Sequence, residues 1–158
     1  MPSTFDPEIT VYTPPRFKID DPESIRLFIE ENSFGLLLSV DDGEIHDTHT
    51  PFVYSEDGRH LLGHMAKANP QWRSWEDGST AKVIFRGAHT YISPRFYESE
   101  FAVPTWNYAA VSVAGPISVI NQEAKVLDFL DKLTTSNPNN PGFWIGLMSV
   151  TSASFPES

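Results

Sequence analysis

The sequence predicts a mainly β fold with some α-helix, in which six antiparallel strands close into a small barrel under helical covers. The 158-residue chain contains 13 prolines and 9 glycines, which interrupt it too often for a helical bundle. Apolar residues make up 40% of the chain, enough for a sizeable core. Six apolar or alternating segments are separated by turn signals, and closing their sheet would remove its unpaired edges.

The first helix is predicted from a capping signal. Residues 20–23 read Asp-Asp-Pro-Glu, in which an Asp can cap the helix and the Pro fits its first turn. Acidic residues at this position also suit the positive end of the helix dipole. The helix is predicted to end near Asn32, and its core face consists of Ile25, Phe28 and Ile29.

Two further helices are predicted later in the chain. One begins at Pro70, is capped by Asn69 and runs to about Trp75. The other covers residues 122–133. Its predicted cap and buried stripe are Asn121, Val126, Leu130 and Leu133.

Six strands are predicted between these helices, over residues 34–40, 44–54, 60–65, 80–85, 89–93 and 106–120. Turns are expected at residues 41–43, 56–58 and 86–87, each of which contains Gly. Pro51 predicts a bulge or an edge position, and residues 115–116 predict a break or bend in the last strand.

The rest of the chain is expected to form connections around a single domain of residues 1–158. Residues 1–18 are rich in Pro, Thr and aromatic residues and are predicted to be an N-terminal arm. Residues 94–104 carry Phe96, Tyr97 and Phe101, and we expect this loop to cover a pocket or a neighbouring subunit. Residues 136–158 read as a loop and a short tail without an assignable element.

Charge and composition exclude several classes of function. The net charge of −10 opposes direct binding to DNA or to an anionic membrane. The chain has no cysteine, which rules out disulfides, thiolate catalysis and cysteine-ligated metal centres. No apolar run reaches the ~20 residues of a membrane span, and the N-terminus does not resemble a secretion signal. We therefore expect a cytoplasmic protein.

Five histidines are candidates for metal binding or for packing. His46 and His49 lie three apart on a predicted strand, so they would point to opposite faces. A single-metal site of His49, His64 and His89 is possible, but no acidic residue or HExxH motif supports it. The alternative is that these histidines pack within the barrel, and we predict no metal site.

Residues 63–72 are the stretch best suited to a ligand. Lys67 lies between a strand and the predicted start of a helix, an arrangement that can bind phosphate. The alternative is an ordinary capped helix after an ordinary strand. Aromatic residues that could line the core or the walls of a planar cofactor are Trp72, Trp75, Tyr91, Trp106 and Tyr108.

Several sequence blocks, in this order, resemble one known family. They are Pro-Arg-Phe at 15–17, the helix to 31–34, Thr-His-Thr-Pro at 48–51, residues 63–72, His-Thr-Tyr-Ile-Ser-Pro at 89–94 and Val-Pro-Thr-Trp-Asn-Tyr at 103–108. Over about residues 12–120 the chain resembles the FMN-binding negative transcriptional regulators of the PaiB type, which are FMN-binding split-barrel flavoproteins. The family's basic C-terminal tail has no counterpart here.

The resemblance implies a six-stranded split barrel that forms a homodimer and binds FMN in a cleft shared by two subunits. It places Lys67 and Asn69 near the flavin phosphate, with His64, Ala66, His89, Tyr91 and Ser93 nearby. Thr105, Trp106 and Asn107 would come from the neighbouring subunit. No residue is nominated as catalytic, because the flavin itself would supply the reactive atoms.

Three readings of function remain open at this point. The first is a flavin-dependent redox protein or flavin-responsive regulator. The second is a regulator that binds DNA directly, against which the net charge and the lack of a helix-turn-helix argue. The third is a cofactor-free or haem-binding barrel with a structural or ligand-binding role.

Overall fold

The computed structural model describes residues 13–76, 78–98, 102–120, 127–129, 131 and 146–151. One α-helix, α1 (Pro22–Glu31), precedes the sheet, and short 3₁₀ turns cover Pro15–Phe17, Pro70–Ser74 and Pro94–Phe96. The strands are β1 (Phe34–Asp41), β2 (Glu44–Tyr54), β3 (His60–Met65), β4 (Thr80–Ile92), β5 (Thr105–Ile120) and β6 (Gly146–Thr151).

The strands pair in the order β1-β2-β3-β6-β5-β4, and β4 pairs with β1 to close the cycle. Every pair is antiparallel. The prediction of a mainly β, antiparallel fold with few helices is therefore confirmed. In the described ranges, no helix has both the length and the apolar character that crossing a membrane requires.

Helix α1 begins and ends where its sequence predicts. The Asp21 carboxylate accepts a hydrogen bond from the Ser24 N–H at 2.8 Å, which caps the helix. Ile29 is buried, and Ile25 and Phe28 pack against the core, so the predicted face is the one that covers the barrel. The helix lies close to β4, because a Cβ at Gly87 would be 2.7 Å from the Phe28 ring.

Local turn chemistry determines the β1–β2 hairpin. Asp42 and Gly43 both have positive φ, 47° and 83°, as a two-residue turn of this hand requires. Gly58, with φ of 68°, turns the chain between β2 and β3. These two predicted turns and the strands on either side of them are confirmed.

The predicted turn at Arg86-Gly87 is wrong. Strand β4 runs through these residues without interruption, and its pairing with β5 shifts register between Arg86 and His89. Glycine in a strand signals either a turn or a bulge, and here it is a bulge that also leaves room for Phe28. The two strands predicted at 80–85 and 89–93 are thus one.

Strand β6, by contrast, is absent from the prediction, which left residues 143–158 unassigned. It forms by pairing with β3 and β5, two strands distant in sequence. Such pairing is a tertiary effect that a mixed, short segment does not reveal.

Of the break or bend predicted at residues 115–116, the break does not occur, since β5 continues through them. Pro116 is instead the last residue of β5 that pairs with β4, and Ile117 is the first that pairs with β6. Pro51 has the same role in β2, which pairs with β1 up to Pro51 and with β3 from Phe52. Both prolines therefore mark a change of partner strand.

The main core lies inside the barrel and under α1. Its largest buried side chains are Phe52, Phe85, Ile29, Leu37, Leu61 and Val83. A second cluster lies on the outer surface, where buried Phe129 packs on Val53, Leu62 and Ile120. Residues 127–129 and 131 are helical, as predicted, while the predicted cap and stripe of that helix (Asn121, Val126, Leu130 and Leu133) lie outside the described residues.

Strand direction defines two ends of the barrel. The end that carries the Asp42–Gly43 turn is called the hairpin end, and the end where α1 packs is called the helix end. Strand β3 runs parallel to β1 in space, since both are antiparallel to β2, and so it finishes at the hairpin end at Met65. Strand β4 starts at the hairpin end, and its last residues extend past the bulge at the helix end.

Candidate functional site

The connection after β3 is a tight turn at the hairpin end, formed by residues 66–69 and called here the 66–69 turn. The Asn69 N–H donates to the Ala66 carbonyl at 2.9 Å and closes it. The Lys67 side chain is exposed. The backbone carbonyl of Lys67 accepts a hydrogen bond from the Trp72 indole N–H at 3.3 Å. The turn therefore holds the Lys67 backbone in place while it presents the ammonium group to solvent.

Asn69 caps the following helical turn as predicted, and its side chain has partners at both ends. Its Oδ1 accepts from the Gln71 N–H at 2.9 Å, and its Nδ2 donates to Thr48 Oγ1 at 2.8 Å. The predicted helix from Pro70 to about Trp75 is a five-residue 3₁₀ turn, Pro70–Ser74. A helix this short has little dipole, so Lys67 is the feature here that can attract an anion.

Gln71 lies directly behind this turn and is only 3% exposed. Its Nε2 donates to Ser39 Oγ at 3.0 Å and to the His46 carbonyl at 3.1 Å, and its Oε1 accepts from Thr48 Oγ1 at 2.6 Å. Gln71 and Thr48 are absent from the predicted site, because a Gln is ordinarily exposed and carries no burial signal. Their only sequence signal is that both lie in the family-like blocks.

His64 lies on the outer surface of β3 and not in the barrel interior, since its neighbours Gly63 and Met65 are the buried residues. Its ring packs on Phe129 with 6.0 Å between centroids. Burial lowers the pKa of His64 from its ordinary value of 6.5, so the imidazole is neutral at neutral pH. Its Nδ1 is buried and has no hydrogen-bond partner among the described residues.

Beyond the bulge, β4 and β5 continue as a two-stranded extension, called here the arm, made of residues 89–92 and 105–108. His89 pairs with Tyr108 and Tyr91 with Trp106, which places four rings on one face of the arm. The Trp106 ring contacts His89 and Tyr91, with centroids 5.7 and 5.9 Å away. Trp106 is 59% and Tyr108 74% exposed, so this face has no cover within the described chain.

The other predicted site residues of this region lie on the opposite face of the arm or directly after it. Thr105 and Asn107 alternate with Trp106 and therefore occupy the opposite face. Thr105 Oγ1 lies 3.5 Å from Tyr97 Oη. Ser93 follows the end of β4 and precedes the Pro94–Phe96 turn. Phe96 in that turn is 76% exposed, so it does not pack into a pocket among the described residues, and Phe101 of the same loop lies outside them.

The structure thus divides the predicted site residues into two groups. The 66–69 turn brings together Ala66, Lys67 and Asn69 at the hairpin end, close in sequence to His64. The arm, together with Ser93 directly after its first strand, groups His89, Tyr91, Thr105, Trp106 and Asn107 beyond the helix end. Because β3 and β4 run in opposite directions, one chain places these groups at opposite ends of its barrel.

The histidines considered for a metal lie on three different strands, β2, β3 and β4. His49 stacks on Phe34 with 5.9 Å between ring centroids, and His64 packs on Phe129. Throughout the described residues, no group of three His, Asp or Glu side chains is arranged to hold a metal ion.

Comparison with known sequences identifies the family. Residues 11–148 match the family model described as "Putative FMN-binding domain". The chain is 36% identical over 138 residues to "Protease synthase and sporulation protein PAI 2" of Bacillus subtilis, an alignment that covers 85% of this chain and 66% of that protein. The chain spans about half to two thirds of the length of the curated relatives it matches.

Solved structures share the fold at low sequence identity. The flavocytochrome Anf3 of Azotobacter vinelandii superposes with a TM-score of 0.66 at 14% identity, over 84% of this chain and 64% of that one. The FAD and haem binding protein of Mycobacterium smegmatis gives a TM-score of 0.62 at 19% identity, over 87% and 74% of the two chains. Together with the sequence match, these results confirm the predicted family: the chain belongs to the PaiB-type FMN-binding family of split-barrel-like proteins.

Proposed function

We propose that residues 1–158 form a single split-barrel domain, six-stranded and covered by helices, which binds FMN as a homodimer. The observation that carries the proposal is the fixed 66–69 turn with its exposed Lys67 in a member of an FMN-binding family. FMN combines a dianionic phosphate with a planar ring system. A binding site for it needs a cation at one end and flat apolar walls at the other.

Lys67 suits the phosphate end of the cofactor. Its side chain is exposed, and no ion pair to it occurs in the part of the chain that the structure describes. Its backbone is held by the Ala66–Asn69 bond and by Trp72, so the backbone of the turn has little order left to gain on binding. Asn69 acts behind Lys67 by shaping the turn, because both ends of its amide are already hydrogen-bonded.

The arm suits the ring end of the cofactor, but in a second copy of the chain. Its exposed face carries His89, Tyr91, Trp106 and Tyr108, and a two-stranded ribbon with such a surface is a poor structure for a monomer. A two-fold axis that sets two barrels side by side in opposite directions would bring each arm to the partner's 66–69 turn.

The outer face of the sheet supports the same pairing. Leu36, Leu38 and Ile84 point outward on the neighbouring strands β1 and β4, since their inward neighbours Leu37 and Val83 are fully buried. Val40 and Ile45 continue this apolar surface and are 67% and 71% exposed. A self-complementary contact over this face would remove it from water.

Bound FMN would supply redox chemistry, and the chain's own residues would hold it and shield it from water. We place the protein in the cytoplasm, as a flavin-dependent redox protein or a flavin-responsive regulator. Direct binding to DNA is disfavoured by the net charge of −10.

The test begins with the visible absorption spectrum of the purified protein, with FMN added if the flavin bands are absent. Oxidised flavin bands, quenched flavin fluorescence on titration and a dimeric mass by light scattering are expected. A haem-type Soret band without flavin bands, or unchanged FMN fluorescence at saturating protein, would overturn the proposal.

A further inference from the structure

A buried amide stands behind the exposed turn that carries Lys67. We infer that Gln71, acting through Thr48 and Asn69, is a positioning residue that sets the 66–69 turn for a phosphate-bearing ligand. The inference rests on the proposed FMN function and names the residues that would make the site selective for the phosphorylated form of the flavin.

The side-chain amide of Gln71 has a partner for every hydrogen-bonding group it offers. Both Nε2 hydrogens are donated, to Ser39 Oγ on β1 and to the His46 carbonyl on β2. Its Oε1 accepts from Thr48 Oγ1. A fully bonded amide at 3% exposure has one orientation, so Gln71 fixes the start of the 3₁₀ turn against two strands of the barrel.

Thr48 links this buried amide to the exposed turn. Its Oγ1 donates to Gln71 Oε1 at 2.6 Å and accepts from Asn69 Nδ2 at 2.8 Å. Asn69 in turn closes the 66–69 turn through its own N–H to the Ala66 carbonyl. One continuous chain of hydrogen bonds therefore runs from the barrel strands to the backbone on both sides of Lys67.

The consequence concerns the phosphate and not the flavin ring. A lysine whose backbone is held in one place binds a phosphate more tightly than one on a mobile loop, because less backbone order is lost on binding. If the chain of hydrogen bonds is broken, Lys67 keeps its charge, but its backbone loses its fixed position. Affinity for FMN should then fall, while affinity for riboflavin, which has the same ring without the phosphate, should not.

The experiment compares FMN and riboflavin affinities of the full chain and of Thr48→Val, which has nearly the same shape without the hydroxyl. We expect Thr48→Val to weaken FMN binding about tenfold and riboflavin binding less than about twofold. Thr48→Ser, which restores the hydroxyl, should recover the selectivity of the unaltered chain. Asn69→Ser keeps a capping oxygen but loses the amide, and it should reproduce the loss even if Thr48→Val folds poorly.

A merely structural role would lower the affinity for both flavins together, in proportion to the loss of thermal stability, and would overturn the inference. Unchanged selectivity for FMN over riboflavin in both Thr48→Val and Asn69→Ser would also overturn the inference. If the unaltered chain still binds FMN, that result leaves the proposed function in place. An unaltered chain that binds neither flavin would overturn the proposed function and this inference with it.

Discussion

The ring of Phe52 lies directly against the backbone of Gly63, so that a Cβ added at Gly63 would be only 2.6 Å from Phe52 Cε1. Phe52 is 1% exposed and forms an edge-to-face pair with Phe85, with 5.7 Å between ring centroids. Residue 63 faces this pair from β3, opposite Phe52 in the ladder. The barrel interior therefore depends on the absence of a side chain at this position.

Gly63→Ala is expected to destabilise the fold by about 1–3 kcal/mol, the usual cost of overpacking a filled core. Chemical denaturation followed by fluorescence measures the change. Combining it with Phe52→Leu, which makes room, should cost less than the sum of the two single substitutions. Purely additive effects would show that the cost of Gly63→Ala does not come from contact with the Phe52 ring.

Lys67→Ala is expected to weaken FMN binding by about 1–3 kcal/mol, because it removes a charge-assisted contact to the phosphate. Riboflavin binding should stay nearly unchanged. Lys18→Ala is the matched control, since Lys18 is also exposed but lies 3.0 Å from Asp20 near the N-terminal end of α1. Equal FMN affinities of the two variants would remove Lys67 from the site.

Trp106→Ser is expected to shift the protein from dimer to monomer, because it removes the central ring of the exposed arm face. Sedimentation velocity at several concentrations measures the shift. Leu27→Ser is the control, as Leu27 is 49% exposed on α1 and is not one of the arm residues. A folded Trp106→Ser protein that remains as dimeric as the control would contradict the proposed interface.

His64 is expected to make stability depend on pH in mildly acidic solution. Burial lowers its pKa in the folded state below 6.5, so the unfolded chain binds the proton more readily. The stabilisation is complete above pH 6.5 and is lost as the pH falls toward the lowered pKa of the folded state. His64→Leu should flatten this part of the stability profile.

Denaturation midpoints between pH 7.5 and 5 provide the measurement for this prediction. The control is the same kind of substitution at an exposed histidine on β2, His49→Leu, and the reference is the slope of the unaltered chain. If His64→Leu keeps that slope as well, the loss of stability in acid has another origin.

Local chemistry made much of the fold predictable. The Asp21 cap, the two-residue turn at Asp42–Gly43 and the turn at Gly58 each act within a few residues, and each prediction agrees with the structure. The failures occur where distant contacts decide. Gly87 is a bulge because Phe28 packs against it, and β6 is a strand because β3 and β5 offer it partners.

In the candidate site, too, local sequence signals could be recognised and contacts between distant residues could not. The exposed Lys67 and the aromatic arm could be predicted because their residues occur in short, recognisable blocks. Gln71 and Thr48 could not, since their importance comes from burial and from hydrogen bonds between residues 23 positions apart. That the turn and the arm lie at opposite barrel ends follows only from strand order, which no single block contains.

Pro51 and Pro116, where β2 and β5 exchange partners, also bear on how the barrel opens. The residue after each proline donates its backbone N–H to the carbonyl of the residue just before a neighbouring strand. Phe52 donates to Ser33 at 2.9 Å, and Ile117 donates to Ser79 at 2.8 Å. Proline has no amide hydrogen of its own. Each place where a strand changes partner, β2 from β1 to β3 and β5 from β4 to β6, therefore has one backbone hydrogen bond fewer than a regular ladder. Slow partial opening of the native state should therefore begin at these two partner changes. It should separate the barrel into two parts that each keep their own strand pairing.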